Sequence, residues 1–209
     1  MGSESRGGDV VTELFPERIE TERLVLERMC RENVTPHELY DLFSGPGVSE
    51  VFEHVPQSPY RTVNEPRELI TNADERWSDG TSAAYAIRPD DGEPHADELA
   101  GTTFLFPEWE RRTARFGLLL GKRFWGRGYS GERAAALLRV TFDRLDLELA
   151  TVGHNVGNEK SRRAIEKYVE AHGGRHDCVL RNWVPMDDEI ADMHRYTITR
   201  EQYREATNA

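Results

Sequence analysis

The chain has 209 residues, 37% of them hydrophobic and 31% charged, with a formal net charge of −11. That length is ample for one domain with a buried core, and no run approaches the roughly 18 apolar residues of a membrane span. So acidic a composition argues against sequence-independent nucleic-acid binding, which depends on neutralising phosphates.

In chain order, residues 22–29 read as a first strand. Thr35-Pro36-His37-Glu38 is a capping box with proline at the first helical position, so a helix is expected through Leu39, Leu42 and Phe43, stopped by Gly45-Pro46-Gly47. Asn64 to about Trp77 carries Leu69, Ile70, Ala73 and Trp77 at helical spacing. Ala83–Ile87, Leu99–Phe106 and Thr113–Leu120 read as strands of a meander, the first followed by the turn Pro89-Asp90-Asp91-Gly92. From Ser130 a helix places Ala134, Leu137, Leu138, Thr141, Phe142 and Leu145 on one stripe. Leu147–Val152 is a strand, and Asn158 opens a helix ended by Gly173-Gly174. Val179–Arg181 and Arg195–Thr199 close the series as strands. The order predicts one mixed α/β (α+β) domain, without linker or repeat.

Only Lys122, Lys160 and Lys167 are lysines, so 24 of the 27 basic residues are arginine. Few lysines among many acids suit a surface adapted to high salt, where screening removes self-repulsion; GC-rich coding with an ordinary acidic surface is the alternative. The start has no apolar h-region, and Arg6 stands where a myristoylation signal wants Ser or Thr. The expectation is a soluble cytoplasmic protein, with a disordered tail over 1–15 and a folded domain over 16–205. Cys30 and Cys178 make no disulfide framework and are expected as reduced, partly buried thiols. The histidines show no ligand spacing, and Gly173-Gly174 separates His172 from His176, so no metal site is expected.

The most informative segment runs from Leu118-Leu119-Leu120 through Gly121-Lys122-Arg123-Phe124-Trp125-Gly126-Arg127-Gly128-Tyr129-Ser130-Gly131-Glu132 into the strongest helix. Glycines allow a ligand close to the backbone, and a helix N-terminus offers unpaired N–H groups and partial positive charge, a combination suited to phosphate. Gly126, Gly128 and Gly131 satisfy the dinucleotide pattern G-x-G-x-x-G, with Asp146 or Glu148 further on. Against it, the glycines do not follow a strand directly, and the preceding strands form a meander. A Walker loop fails on spacing and lacks its Ser or Thr. A plain capping turn is the remaining alternative.

Gly117-Leu-Leu-Leu followed by Phe124-Trp125-Gly126-Arg127-Gly128-Tyr129-Ser130-Gly131-Glu132 resembles the acyl-CoA loop of GCN5-related N-acetyltransferases, in particular the branch of ribosomal-protein N-terminal acetyltransferases. The likeness extends to Thr21-Glu22-Arg23-Leu24-Val25-Leu26, to Asn158-Glu-Lys-Ser161 and on to Lys167, to Val179-Leu180-Arg181-Asn182 and to Tyr196-Thr-Ile-Thr-Arg-Glu201, covering about residues 20–203. The stretch Tyr168–His172 is longer than the family's usual helix end.

The resemblance implies a single domain whose mostly antiparallel, twisted sheet splays at a cofactor slot between flanking helices. It implies acetyl-CoA as cofactor, CoA as product and a primary amine as acceptor, in a monomer or homodimer without nucleic-acid or membrane partners. The N–H groups of Gly126, Arg127, Gly128, Tyr129, Ser130 and Gly131 would hold the pyrophosphate. Leu118, Leu119 and Leu120 would pair with the pantetheine amides, and Arg123 and Arg127 would add charge. Trp125 would pack, Asn158 would face the pantetheine arm, and Ser161 would serve as general acid to the departing thiolate.

No general base is named; Glu108, Glu110 and Asp192 are candidates by position. An α-amine with a pKa near ~8 is about one-tenth neutral at pH 7, against about one in 2,500 for lysine. Preparing the nucleophile therefore costs about 1.4 kcal/mol for the former and about 4.6 for the latter. A site without a strong base suits an N-terminal α-amine better than lysine. The alternative is a non-catalytic acyl-CoA-binding module on the same fold.

Overall fold

The computed structural model of the chain describes residues 13–45, 47–187 and 189–208. Eight strands form one sheet: β1 (Arg18–Glu20), β2 (Leu24–Arg28), β3 (Ala83–Pro89), β4 (Gly101–Glu108), β5 (Thr113–Leu120), β6 (Leu149–Asn155), β7 (Arg175–Pro185) and β8 (Ile190–Thr199). Their spatial order is β1-β2-β3-β4-β5-β6-β8-β7. Every pairing is antiparallel except β5 with β6.

The helices are α1 (Pro36–Ser44), α2 (Ser49–Phe52), α3 (Asn64–Ser78), α4 (Tyr129–Arg139), α5 (Glu159–Ala171) and α6 (Arg200–Thr207). The capping box at Thr35 forms as expected, its hydroxyl accepting from the Glu38 N–H. Two apolar cores result. One joins α4 and α5 to Ala114, Phe116, Ala150 and Val152 on one sheet face. The other joins α1 and α3 to Ala84 and Ala86 on the opposite face. All six stripe residues predicted for the helix after Ser130 are buried, and a π turn over Val140–Arg144 continues it.

Several expectations need correction. The sequence reading missed β1, α2 and α6, although Thr199 and Gln202 form a capping box at the start of α6. The short strand expected at Val179–Arg181 is an eleven-residue edge strand, whose mostly exposed residues and two register shifts erase the alternation that marks a half-buried strand. The strand expected at Leu147–Val152 is displaced to Leu149–Asn155.

Residues 1–12 of the expected tail lie outside the described residues. Phe15, placed in that tail by the sequence reading, is fully buried and packs edge-on against Trp77 at 5.3 Å, so it belongs to the folded body. At the other end α6 continues past residue 205 to Thr207. Cys30 is buried, whereas Cys178 is exposed on β7. Among the described residues no helix is long and apolar enough to cross a membrane.

Candidate active site

β5 and β6 touch only at Thr113–Arg115 and Leu149–Thr151, then part. Phe116–Leu120 keeps β4 on one side and loses its partner on the other. Parallel strands that separate leave backbone N–H and C=O groups facing a gap, which a ligand can pair as an added strand does. A cleft of about 2150 Å³ passes through this gap and reaches both sheet faces. That exceeds the usual single-ligand site of roughly 300–1,000 Å³, leaving room for a long cofactor and a second substrate.

On the α4–α5 side the wall is the glycine turn. Gly126 and Gly128 have φ of +75° and +84°, in the left-handed region where a side chain is strained. A Cβ on Gly126 would stand in open space, so the chain passes the cleft there with nothing between backbone and ligand. The N–H groups of Gly131 and Glu132 turn back to the Gly128 carbonyl at 3.1 and 3.3 Å. The five N–H groups from Gly126 to Ser130 therefore remain for a ligand, one fewer than expected. Gly131 itself is helical, and a Cβ there would meet Tyr168 at an ordinary 3.7 Å. The dinucleotide pattern needs its third glycine for close packing. Room for a side chain at 131, after an antiparallel meander, removes that reading.

The turn is fastened from a distance. Glu132 accepts from the Thr21 hydroxyl at 2.6 Å, from the Arg23 N–H at 2.6 Å and from the Arg23 guanidinium at 2.9 and 2.7 Å. Arg23 also donates to the Arg127 carbonyl at 2.9 Å. Thr21, Arg23 and Glu132 are thus positioning residues; their signal in the sequence was their place in the two segments that carry the family resemblance.

Other expected contacts are redistributed. Arg123 does not line the cleft; it pairs with Glu98 at 2.6 Å, which corrects its expected place beside the phosphates. Arg127 does line it. Trp125 donates from its indole N–H to the Leu120 carbonyl at 2.9 Å, bracing the end of β5 and occupying one carbonyl expected for the cofactor. The buried Tyr129 ring packs away from the turn, its hydroxyl donating to Glu93 at 2.8 Å, so only its backbone faces a ligand. Asn158 caps α5, its side-chain oxygen accepting from the Ser161 N–H at 3.0 Å. Both residues line the cleft.

Sequence reasoning missed Arg133. It stands one turn into α4, is 2% exposed and lines the cleft, and its Nε and one terminal nitrogen have no partner. Burial pushes its pKa down. The neighbouring Tyr168 hydroxyl, also buried, is likewise unpartnered. A buried guanidinium without a counterion is costly, and an anion in the cleft would relieve it. The signal was legible: Arg133 lies four residues before Leu137 on an otherwise apolar stripe. Free N–H groups and this orphaned cation together fit a cofactor carrying phosphates.

The three candidate bases are not brought together. Glu110 and Asp192 do not line the cleft, and Asp192 is held by Arg181 at 3.3 Å and by the Asn182 N–H at 2.9 Å. Glu108 lines it but pairs with Arg111 at 2.9 Å. His154, also missed, is a buried wall residue on β6. Burial lowers its pKa, favouring the neutral ring. Its Nδ1 lies 3.0 Å from the Asn155 carbonyl and donates to it, leaving the basic Nε2 toward the Tyr196 hydroxyl at 3.2 Å. Burial, then Glu166, pushes that tyrosine up to about 12.

The model of the acetyltransferase (GNAT) domain matches residues 23–168. The uncharacterized N-acetyltransferase p20 of Bacillus licheniformis is 23% identical over 188 residues, 90% of this chain and 98% of that protein. The microcin C7 self-immunity acetyltransferase MccE, solved with acetyl-CoA and AMP, superposes with a TM-score of 0.76 at 16% identity, covering 90% of this chain and 98% of that one. The spermidine N-acetyltransferase of Vibrio cholerae, solved with CoA and spermine, gives 0.67 at 18%, covering 88% and 98%. The chain therefore belongs to the GNAT acetyltransferases.

Proposed function

We propose that the protein transfers acetyl from acetyl-CoA to a primary amine, an α-amine above all, by direct attack within a ternary complex. The observation that carries this reading is the parting of β5 and β6 beside the capped start of α5, which opens one cleft to both sheet faces. When bound, acetyl-CoA supplies the acetyl group as a thioester: the amine nitrogen forms a bond to the carbonyl carbon as the carbon–sulfur bond breaks.

This chain's residues do the rest. The N–H groups of Gly126 through Ser130, with Arg127 and Arg133, hold phosphate charge. The free edge of Phe116–Leu120 takes backbone hydrogen bonds. Asn158 fixes the first turn of α5 and so the place of Ser161, whose hydroxyl gives a proton to the departing sulfur and regains one from the water that takes the nitrogen's proton. The attacking nitrogen sheds its proton to water, because the carboxylates considered as bases are ion-paired or outside the cleft. That favours an amine already partly neutral near pH 7. The acidic, lysine-poor surface supports adaptation to high salt as a separate property, which stability falling on transfer from molar to millimolar KCl would bear out and indifference to salt would contradict.

Thiol release from acetyl-CoA, followed with peptides bearing free N-termini, amino sugars and polyamines, tests the reading. Turnover is expected with at least one amine, and Ser161→Ala should lower kcat by about 10²-fold, the low end of general-acid contributions, with little change in acetyl-CoA affinity. Tight acetyl-CoA binding without turnover of any amine would mark a sensing module instead.

A further inference from the structure

The sheet face that carries α1 and α3 forms the other half of the cleft, and the strand register fixes what stands there. Phe104 pairs with Gly117, Phe106 with Arg115, Arg115 with Thr151 across the last contact of β5 and β6, and Gly153 with Arg195. Partners in register share a face and alternate residues along a strand share it too, so Phe104, Phe106, Arg115, Thr151 and Arg195 lie on one surface. All five line the cleft. Phe104 and Phe106 stack with centroids 5.7 Å apart and planes 8° from parallel, and the Arg115 guanidinium lies 4.3 Å from the Phe106 centroid.

Among the described residues of this acidic chain twelve arginines are ion-paired with carboxylates and eleven are not. Among the described residues Arg115 and Arg195 have no such partner, and the Nε of Arg195 is buried without any hydrogen bond. Of the carboxylates on this face, Glu108 is already held by Arg111, and Asp177 by Arg175 and the Thr197 hydroxyl. Two strand spacings across and two residues along, roughly 12 Å in all, separate the backbones of the two arginines, a span that their long side chains close over a small ligand. A guanidinium fork matches a carboxylate or phosphate, and the ring beneath Arg115 fixes its plane.

We propose that the acceptor is a primary amine that also carries an anionic group, carboxylate or phosphate, which Arg115 and Arg195 hold while the amine points to the parting of β5 and β6. The proposal rests on the transferase reading and names its substrate class. The same pair repels a polycationic amine, so selectivity comes from repulsion as well as attraction.

Calorimetric titration of the CoA-saturated full chain tests this with matched probes: O-phosphoethanolamine against ethanolamine, phenylalanine against phenylalaninamide, and spermidine. At least one anionic probe should bind tenfold or more tightly than its neutral twin, and whichever pair shows the larger ratio identifies phosphate or carboxylate. That ratio should fall at least tenfold in Arg115→Gln and in Arg195→Gln, while Arg115→Lys, which keeps the charge, retains part of it. Melting temperature and CoA affinity check that each variant folds; if Arg195→Gln does not, Arg115→Gln alone decides. Neutral probes or spermidine binding as tightly as the anionic ones, no binding of either anionic probe, or an unchanged ratio in the variants would overturn the proposal. Thiol release with the same amines is a separate arm: absence of turnover there counts against the transferase reading, while the binding ratio still decides the anion site.

Discussion

The two halves of the cleft are built in opposite ways. The α4–α5 half offers a ligand chiefly backbone: five consecutive N–H groups in a turn bent by two left-handed glycines, and the free edge of a strand. The opposite half offers side chains drawn from β4, β5, β6 and β8. A backbone site needs a short stretch of particular residues, and those leave a local mark in the sequence. A side-chain site needs only register between distant strands, and any one of its residues looks ordinary alone. A constant cofactor and a variable acceptor fit that division.

Breaking the backbone half from a distance should have the largest effect. Glu132→Ala leaves the Arg23 N–H without its acceptor and the Arg23 guanidinium without its carboxylate, at a cost of about 2–3 kcal/mol. A lower denaturation midpoint and weaker acetyl-CoA binding are expected together; loss of neither would show that the turn holds itself.

Arg133 should split the two properties instead. Replacing this unpaired buried charge by Met keeps the volume and removes the desolvation cost, so the unliganded protein should melt higher. Acetyl-CoA should bind more weakly by about ten- to a hundredfold, the worth of a hydrogen bond to a charged group. A variant that melts lower and binds equally well would make Arg133 a structural residue only.

The glycines sharpen the contrast further. Gly128→Ala places a side chain at a φ of +84° and brings its Cβ to 3.2 Å from the Arg23 guanidinium, so it should cost about 1–2 kcal/mol. Gly131→Ala sits in a helix with room for the methyl and should stabilise by up to about 1 kcal/mol. Thermal melts of the two variants moving in the same direction would contradict this geometry.

His154 gives the smallest effect, confined to acid. Its folded pKa lies below its ordinary 6.5 because burial disfavours the charged ring. The unfolded chain therefore takes up a proton first as pH falls, and stability drops below pH 6.5, by at most about 1.4 kcal/mol per pH unit. His154→Gln should flatten that limb of a pH–stability curve and leave it unchanged above pH 7.

Much of this was legible in the amino-acid order. The meander, α4 and the cap at Asn158 announce themselves through period, turn residues and capping chemistry, because each is decided within a few residues. The glycine turn was readable for the same reason, down to the neighbourhood of Ser161. Arg123 was misplaced because a loop arginine is drawn to whichever carboxylate the fold brings near, here Glu98. Glu108 is claimed by Arg111 three residues on, a pairing open to inspection beforehand. The face shared by Arg115 and Arg195 depends on β8 pairing with β6 across forty residues of sequence, and the bulged, exposed β7 gives no alternation from which to count register.

The central claim is that the two halves meet where β5 and β6 part, with Ser161 at the sulfur. A crystal structure of the full chain with CoA tests it directly. The pyrophosphate should sit on the N–H groups of Gly126 through Ser130, and the sulfur should lie within hydrogen-bond reach of the Ser161 hydroxyl, about 3–3.5 Å for so polarisable an acceptor. A pyrophosphate bound elsewhere, or a sulfur on the α4 side remote from Ser161, would contradict the account.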